Sequence, residues 1–173
     1  RSGRRSHADK MKKLFAAIIL VALGGLGVWL FATPLARAPE VTFSTLSGKQ
    51  LKMSELRGKV VLVKFWATSC VTCVAQMPDN IENYNAYHAQ GFEIVAVAMQ
   101  YDPANYVINF VDTRKIPFPV ALDTVGQVAR AFGDVKLTPT AFLIDKNGQI
   151  LKRYLGEYNK TEFRGTLEKA LAG

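Results

Sequence analysis

The chain has 173 residues, 49% of them hydrophobic and 21% charged, enough for one globular domain with a tail and unlike a disordered chain. Its net charge of +8 is unevenly placed: residues 1–13 carry six Lys and Arg against Asp9, leaving only +3 for the other 160 residues. A basic stripe for nucleic acid is not indicated, and no nucleic-acid partner is expected.

The basic segment adjoins Leu14 to Ala32, LFAAIILVALGGLGVWLFA, 19 residues without a charge. As a helix, at about 1.5 Å per residue, this run spans roughly 28 Å, close to the hydrocarbon thickness of a bilayer. Positive charge on its N-terminal side predicts that residues 1–13 stay in the cytoplasm and that the rest lies across the membrane. Residues 14–32 therefore read as a transmembrane anchor or an uncleaved signal. The run exceeds the roughly 7–15 residues of a signal h-region. Pro39 would also follow the A-x-A site Ala36-Arg37-Ala38 directly, which hinders cleavage.

Residues 33–40 read as a Pro-containing linker and 41–173 as the folded domain. Val41 to Ser44 and Leu46 to Leu51 alternate around Ser47-Gly48, a hairpin pattern. Val60 to Trp66 is an apolar run broken only by Lys64, which predicts a buried central strand. Ala67 to Cys70 then turns the chain into a helix of about 20 residues, reaching His88, kinked at Pro78 and ended by Gly91. Phe92 to Met99 is a second buried strand, and Pro103 to Arg114 a helix with Pro103 in its first turn. Val120 to Leu122 is a short strand, with Asp123 the N-cap of a helix from Val125 to Phe132. Thr140 to Ile144 and Gln149 to Tyr154 form a hairpin about Asn147-Gly148, and Thr161 to Leu171 is a closing amphipathic helix. The order after the first hairpin, β-α-β-α-β-α-β-β-α, predicts an α/β fold with a central mixed sheet flanked by helices.

The two cysteines, Cys70 and Cys73, sit where a buried strand hands over to a helix. Unpaired N–H groups and the partial positive charge of a first helical turn favour a thiolate at Cys70, with a pKa below the free value of about 8.5. Three residues is nearly one turn, so Cys73 lies within reach to close a disulfide. N-terminal placement favours exposure, which makes Cys70 the attacking sulfur and Cys73 the resolving one. A zinc site needs three or four ligands; with no other cysteine, and with His7 and His88 far along the chain, no metal is expected. The second marker is Thr138-Pro139-Thr140 at the start of a late strand, which in a fold of this order would face the cysteine pair.

VVLVKFWATSCVTC, the following VAQMP, and the later FEIVAVAM, FPVALD and LTPTAFLIDKNGQI together resemble the TlpA/ResA-like branch of the thioredoxin superfamily, over about residues 40–172. The resemblance implies a thioredoxin-like fold with an N-terminal β-hairpin addition. It implies dithiol–disulfide exchange in the bacterial periplasm on protein thiol or disulfide substrates, fed by a membrane electron donor. Such members are tethered to the inner membrane and commonly act as reductants in cytochrome c maturation or copper-site assembly. It supports Cys70 and Cys73 as a redox-active disulfide needing no other cofactor. It also implies that Pro139 is a cis-proline, freeing backbone groups of Thr138 for an extended substrate peptide; Trp66 and Ser69 are the further substrate-binding candidates. This sequence departs from the family at Ser69, where Trp is common, and at Gln76, where Glu is common. Lys64 stands where classical thioredoxins bury an Asp. Without a carboxylate beside the pair, the reduced form should be better stabilised and the couple less reducing than thioredoxin at about −270 mV.

Two other readings fit the same cysteines. A peroxiredoxin-like peroxidase would need Thr three residues before its reactive cysteine, but Ala67 precedes Cys70 by three. A thiol chaperone would hold Cu(I) on two soft thiolates without turnover.

Overall fold

The computed structural model describes residues 36–173. The first hairpin pairs β1 (Thr42–Ser44) with β2 (Gln50–Lys52), with Phe43 opposite Leu51 and both buried. A 3-10 turn at Met53–Leu56 leads into β3 (Val60–Trp66), which forms the centre of a five-stranded sheet. With β4 (Phe92–Ala98), β5 (Val120–Leu122), β6 (Thr140–Ile144) and β7 (Ile150–Leu155), the order is β5-β4-β3-β6-β7. Strands β3, β4 and β5 run parallel; β6 is antiparallel to β3 and to β7. This is the mixed sheet that the alternating order predicts.

Every residue of β3 and β4 is buried, because both faces of the sheet are covered. The strand period of two divides the core. Val61, Val63 and Phe65 face a layer with Phe43, Val95, Val97, Phe132 and Phe142. Val60, Leu62 and Trp66 face the other, with Cys73, Met77, Ile94, Phe163 and Leu167.

The single helix expected after Cys70 is two: α1 (Val71–Ala75) and α2 (Met77–Tyr87), joined at Gln76. Pro78 has no N–H to donate to the carbonyl of Val74, and its ring would clash there, so the chain breaks and restarts with Pro78 in a first turn. A 3-10 turn at His88–Gln90 and Gly91 at φ 95° end this stretch. Helix α3 (Ala104–Arg114) begins one residue after Pro103, its N-cap. Helix α4 (Gln127–Ala131) is shorter than the expected span from Val125, since Gly126 in the left-handed region takes the N-cap position. Asp123 still caps it, by reaching the N–H groups of Val128 and Ala129 at 3.1 and 2.8 Å. Helix α5 (Lys160–Ala172) is capped by Asn159, two residues before the expected Thr161.

Part of the expected linker belongs to the domain. Arg37 bridges Gln149, the N–H of Ala38 donates to Gly148, and Ala38 is buried. The basic segment and the apolar run 14–32 lie outside the described residues. Among the described residues no helix is long and apolar enough to cross a membrane.

Candidate active site

Cys70 and Cys73 form a disulfide. Cys70 is the N-cap of α1, half-buried, and its Sγ accepts the N–H of Cys73 at 3.2 Å. Cys73 is fully buried, inside the layer that holds Trp66 and Met77. Because α1 has only five residues, stabilisation of negative charge on Cys70 rests on this local N–H and not on a long helix dipole.

Pairing of Phe65 with Thr140 brings the segment after β3 to the same end of the sheet as the segment before β6. The Thr138–Pro139 bond is cis. Among the described residues neither the N–H nor the C=O of Thr138 has a backbone partner. Its Oγ1 lies 3.3 Å from the Tyr101 hydroxyl, while the carbonyl of Pro139 accepts the N–H of Gly156. Ser69 is exposed beside Cys70. Trp66 is not where a substrate-binding role requires: it is fully buried, its ring 5.1 Å from that of Phe110, so it supports the cysteine turn from below. The reason is its strand position, which faces the same covered layer as Leu62 and Val60.

The sequence marks Asp102 as structural at most and does not show what it holds. Asp102, buried in the turn after β4, accepts both the N–H and the hydroxyl of Thr68 at 2.6 Å each, clamping the turn two residues before Cys70. A charged residue just past a buried strand was its only signal. Val71 is 83% exposed and Leu137 63% exposed, leaving apolar surface at the two segments that carry Cys70 and Thr138. No periodicity marks either, since Val71 opens a five-residue helix and Leu137 is a lone apolar residue in a bend.

Lys64 and Gln76 come together. Lys64 is fully buried, and its Nζ donates to Gln76 Oε1 at 2.7 Å. Burial pushes the Lys64 ammonium down to about 7, against a weaker opposing pull from the Asp79 carboxylate. The Nζ sits 5.5 Å from the centre of the Tyr158 ring. Burial, with Asp79 and Tyr154 adding to it, pushes the Tyr158 phenol above its ordinary range; its hydroxyl donates to Asn80. Among the described residues no group of three or more His, Cys, Asp and Glu side chains gathers at one point.

Comparison with known proteins agrees with this geometry. Residues 35–171 match the Redoxin family model. The chain is 36% identical over 171 residues to the thiol-disulfide oxidoreductase ResA of Bacillus anthracis, covering 92% of this chain and 97% of that protein. It is 36% identical over 160 residues to ResA of Geobacillus thermodenitrificans, covering 87% and 91%. Among solved structures, a putative thioredoxin from Neisseria meningitidis matches with a TM-score of 0.74 at 37% identity, over 79% of this chain and 90% of that one. A putative thiol:disulfide interchange protein DsbE from Chlorobium tepidum matches with a TM-score of 0.73 at 33% identity, over 79% and 96%.

Proposed function

This chain belongs to the redoxin family, among the ResA-like thiol–disulfide oxidoreductases, and we propose that it serves as a membrane-tethered reductant of protein disulfides in the periplasm. Its clients on this reading are proteins of cytochrome c maturation or of copper-site assembly for oxidases. One observation supports the chemistry above the others: a disulfide with one sulfur half-exposed at a helix N-cap and the other fully buried.

In the reductive direction the Cys70 thiolate attacks one sulfur of a client disulfide. A Cys70–client bond forms, and the client's other sulfur leaves as a thiolate. Cys73 then loses its proton and attacks Cys70 Sγ. The Cys70–client bond breaks and the second client sulfur leaves with the electron pair. Two electrons have passed to the client, and the Cys70–Cys73 disulfide remains for a membrane dithiol donor to reduce. The free backbone groups of Thr138 pair with an extended client segment, beside the apolar surface of Val71 and Leu137. Residues 14–32 supply the tether.

The test is trapping in the full chain. Cys73→Ser should hold clients as mixed disulfides through Cys70, and Cys70→Ser should hold none. Clients recovered only from Cys70→Ser would reverse the two roles. Failure of both, together with Cu(I) binding that needs both cysteines, would replace the reading by a copper chaperone. Fast peroxide consumption would replace it by a peroxidase.

A further inference from the structure

Lys64 has no part in the exchange steps above, yet it is buried at the centre of the sheet. Its register partners on both sides are alanines, Ala96 and Ala141, which leave room for its stem. Its strand face carries Val60, Leu62 and Trp66, which share one layer with Cys73. Its hydrogen bond goes to Gln76, one helical turn past Cys73. The titratable groups around it are few. Asp79 of α2 acts on its charge and Tyr158, after β7, lies under its Nζ, while Cys73 of α1 and Tyr154 of β7 belong to the layer that its strand face meets. Asp79 is already paired with Lys160 of α5 at 2.6 Å. Among the described residues no carboxylate forms an ion pair with Lys64.

Resting on the oxidoreductase reading, we infer that Lys64 is a charge-compensating residue for Cys73. It holds as an ammonium the proton that Cys73 gives up on attacking the mixed disulfide, and releases that proton to water once the Cys70–Cys73 bond has formed. A thiolate alone in an apolar layer is costly, whereas a thiolate with an ammonium is a neutral pair. When the thiolate becomes a disulfide sulfur, the ammonium is left without compensation in the same layer and reverts to an amine. An amine whose burial sets its midpoint near 7 can do both. Lys64 bonds Gln76, one turn past Cys73, and acts on Cys73 through the charge it carries.

The experiment titrates the Cys70–Cys73 couple of the full chain, in detergent, against glutathione buffers from pH 6 to 9, for wild type and Lys64→Met. Below pH 7 the oxidised wild type already carries the proton that the reduced pair needs. Its midpoint should therefore fall less steeply with pH than the variant's, by one proton per two electrons. That is tenfold in the exchange constant per pH unit, or about 30 mV. Above pH 7 the two lines should run parallel. Lines parallel throughout would overturn the inference. Carbon-13 NMR of the lysine side chains in wild type gives a second readout that does not depend on the variant folding. The Lys64 midpoint should rise by about one pH unit or more on reduction, and equal midpoints in the two redox states would overturn the inference. Both readouts need no client. Trapped clients with an unmoved Lys64 would thus sink only this inference, while a coupled Lys64 without clients would sink only the proposed function.

Discussion

A lysine without exposed surface costs stability as well as serving chemistry. In the oxidised protein Lys64 titrates near 7, whereas in the unfolded chain it titrates at its ordinary 10.5. Below 7 both states hold the proton and the folded one bears the full cost of a buried charge. Between 7 and 10.5 the unfolded chain binds more protons, so stability rises with pH, at a slope approaching about 1.4 kcal/mol per unit. Urea titrations of the oxidised protein should therefore show higher stability at pH 9 than at pH 7, by about 2 kcal/mol. Lys64→Met should lose that slope and be the more stable protein at pH 7, by about 2 kcal/mol, even though Gln76 Oε1 loses its donor. A variant less stable than wild type at pH 7 would contradict this account. The clamp at Asp102 points the other way. Asp102→Ala strands the N–H and hydroxyl of Thr68 and should cost about 2–3 kcal/mol by urea midpoint, with slower mixed-disulfide formation at Cys70.

At the scale of elements, the legible features were those with a periodic or covalent cause. The apolar runs at Val60–Trp66 and Phe92–Ala98 read as buried strands and are strands, because both sheet faces are covered. Pro78 read as a kink and is a break, since a missing N–H is visible in sequence but the response of the chain to it is not. Helix α4 starts two residues later than the pattern from Val125 predicts, because Asp123 caps from four residues before Gln127, across a left-handed Gly126. Capping at that reach depends on a turn that composition does not announce. The site divides the same way. Cys70, Cys73 and Pro139 stand in motifs, whereas Asp102 and the burial of Trp66 depend on where distant segments meet. The Asp123 cap makes its own prediction. Asp123→Ala should lower stability by about 1–2 kcal/mol in a denaturant titration. Because α4 leads into the chain that carries Leu137 and Thr138, reactivity at Cys70 should change less than stability. An equal loss in both would mean that α4 shapes the site directly.

At the scale of the whole molecule, the disulfide is a small constraint on the chain. Its sulfurs are three residues apart, so closing it removes little entropy from the unfolded state. The stability difference between reduced and oxidised protein then reports how well the folded domain accommodates two thiols in place of one bond. Thermodynamic linkage makes that difference equal to the change in the couple's redox equilibrium on folding. Among the described residues no carboxylate forms an ion pair with Lys64, and the Cys73 N–H already points at Cys70 Sγ. The fold should therefore favour the reduced pair. Reduced protein should unfold at a higher urea concentration than oxidised protein at pH 7, and the couple should sit above the roughly −270 mV of thioredoxin. The two measurements must agree, because they close one cycle. A reduced form that unfolds first, with a midpoint at or below that of thioredoxin, would mean that burial of Cys73 outweighs the N–H and the lysine together, and that the fold holds the disulfide in preference to the thiols.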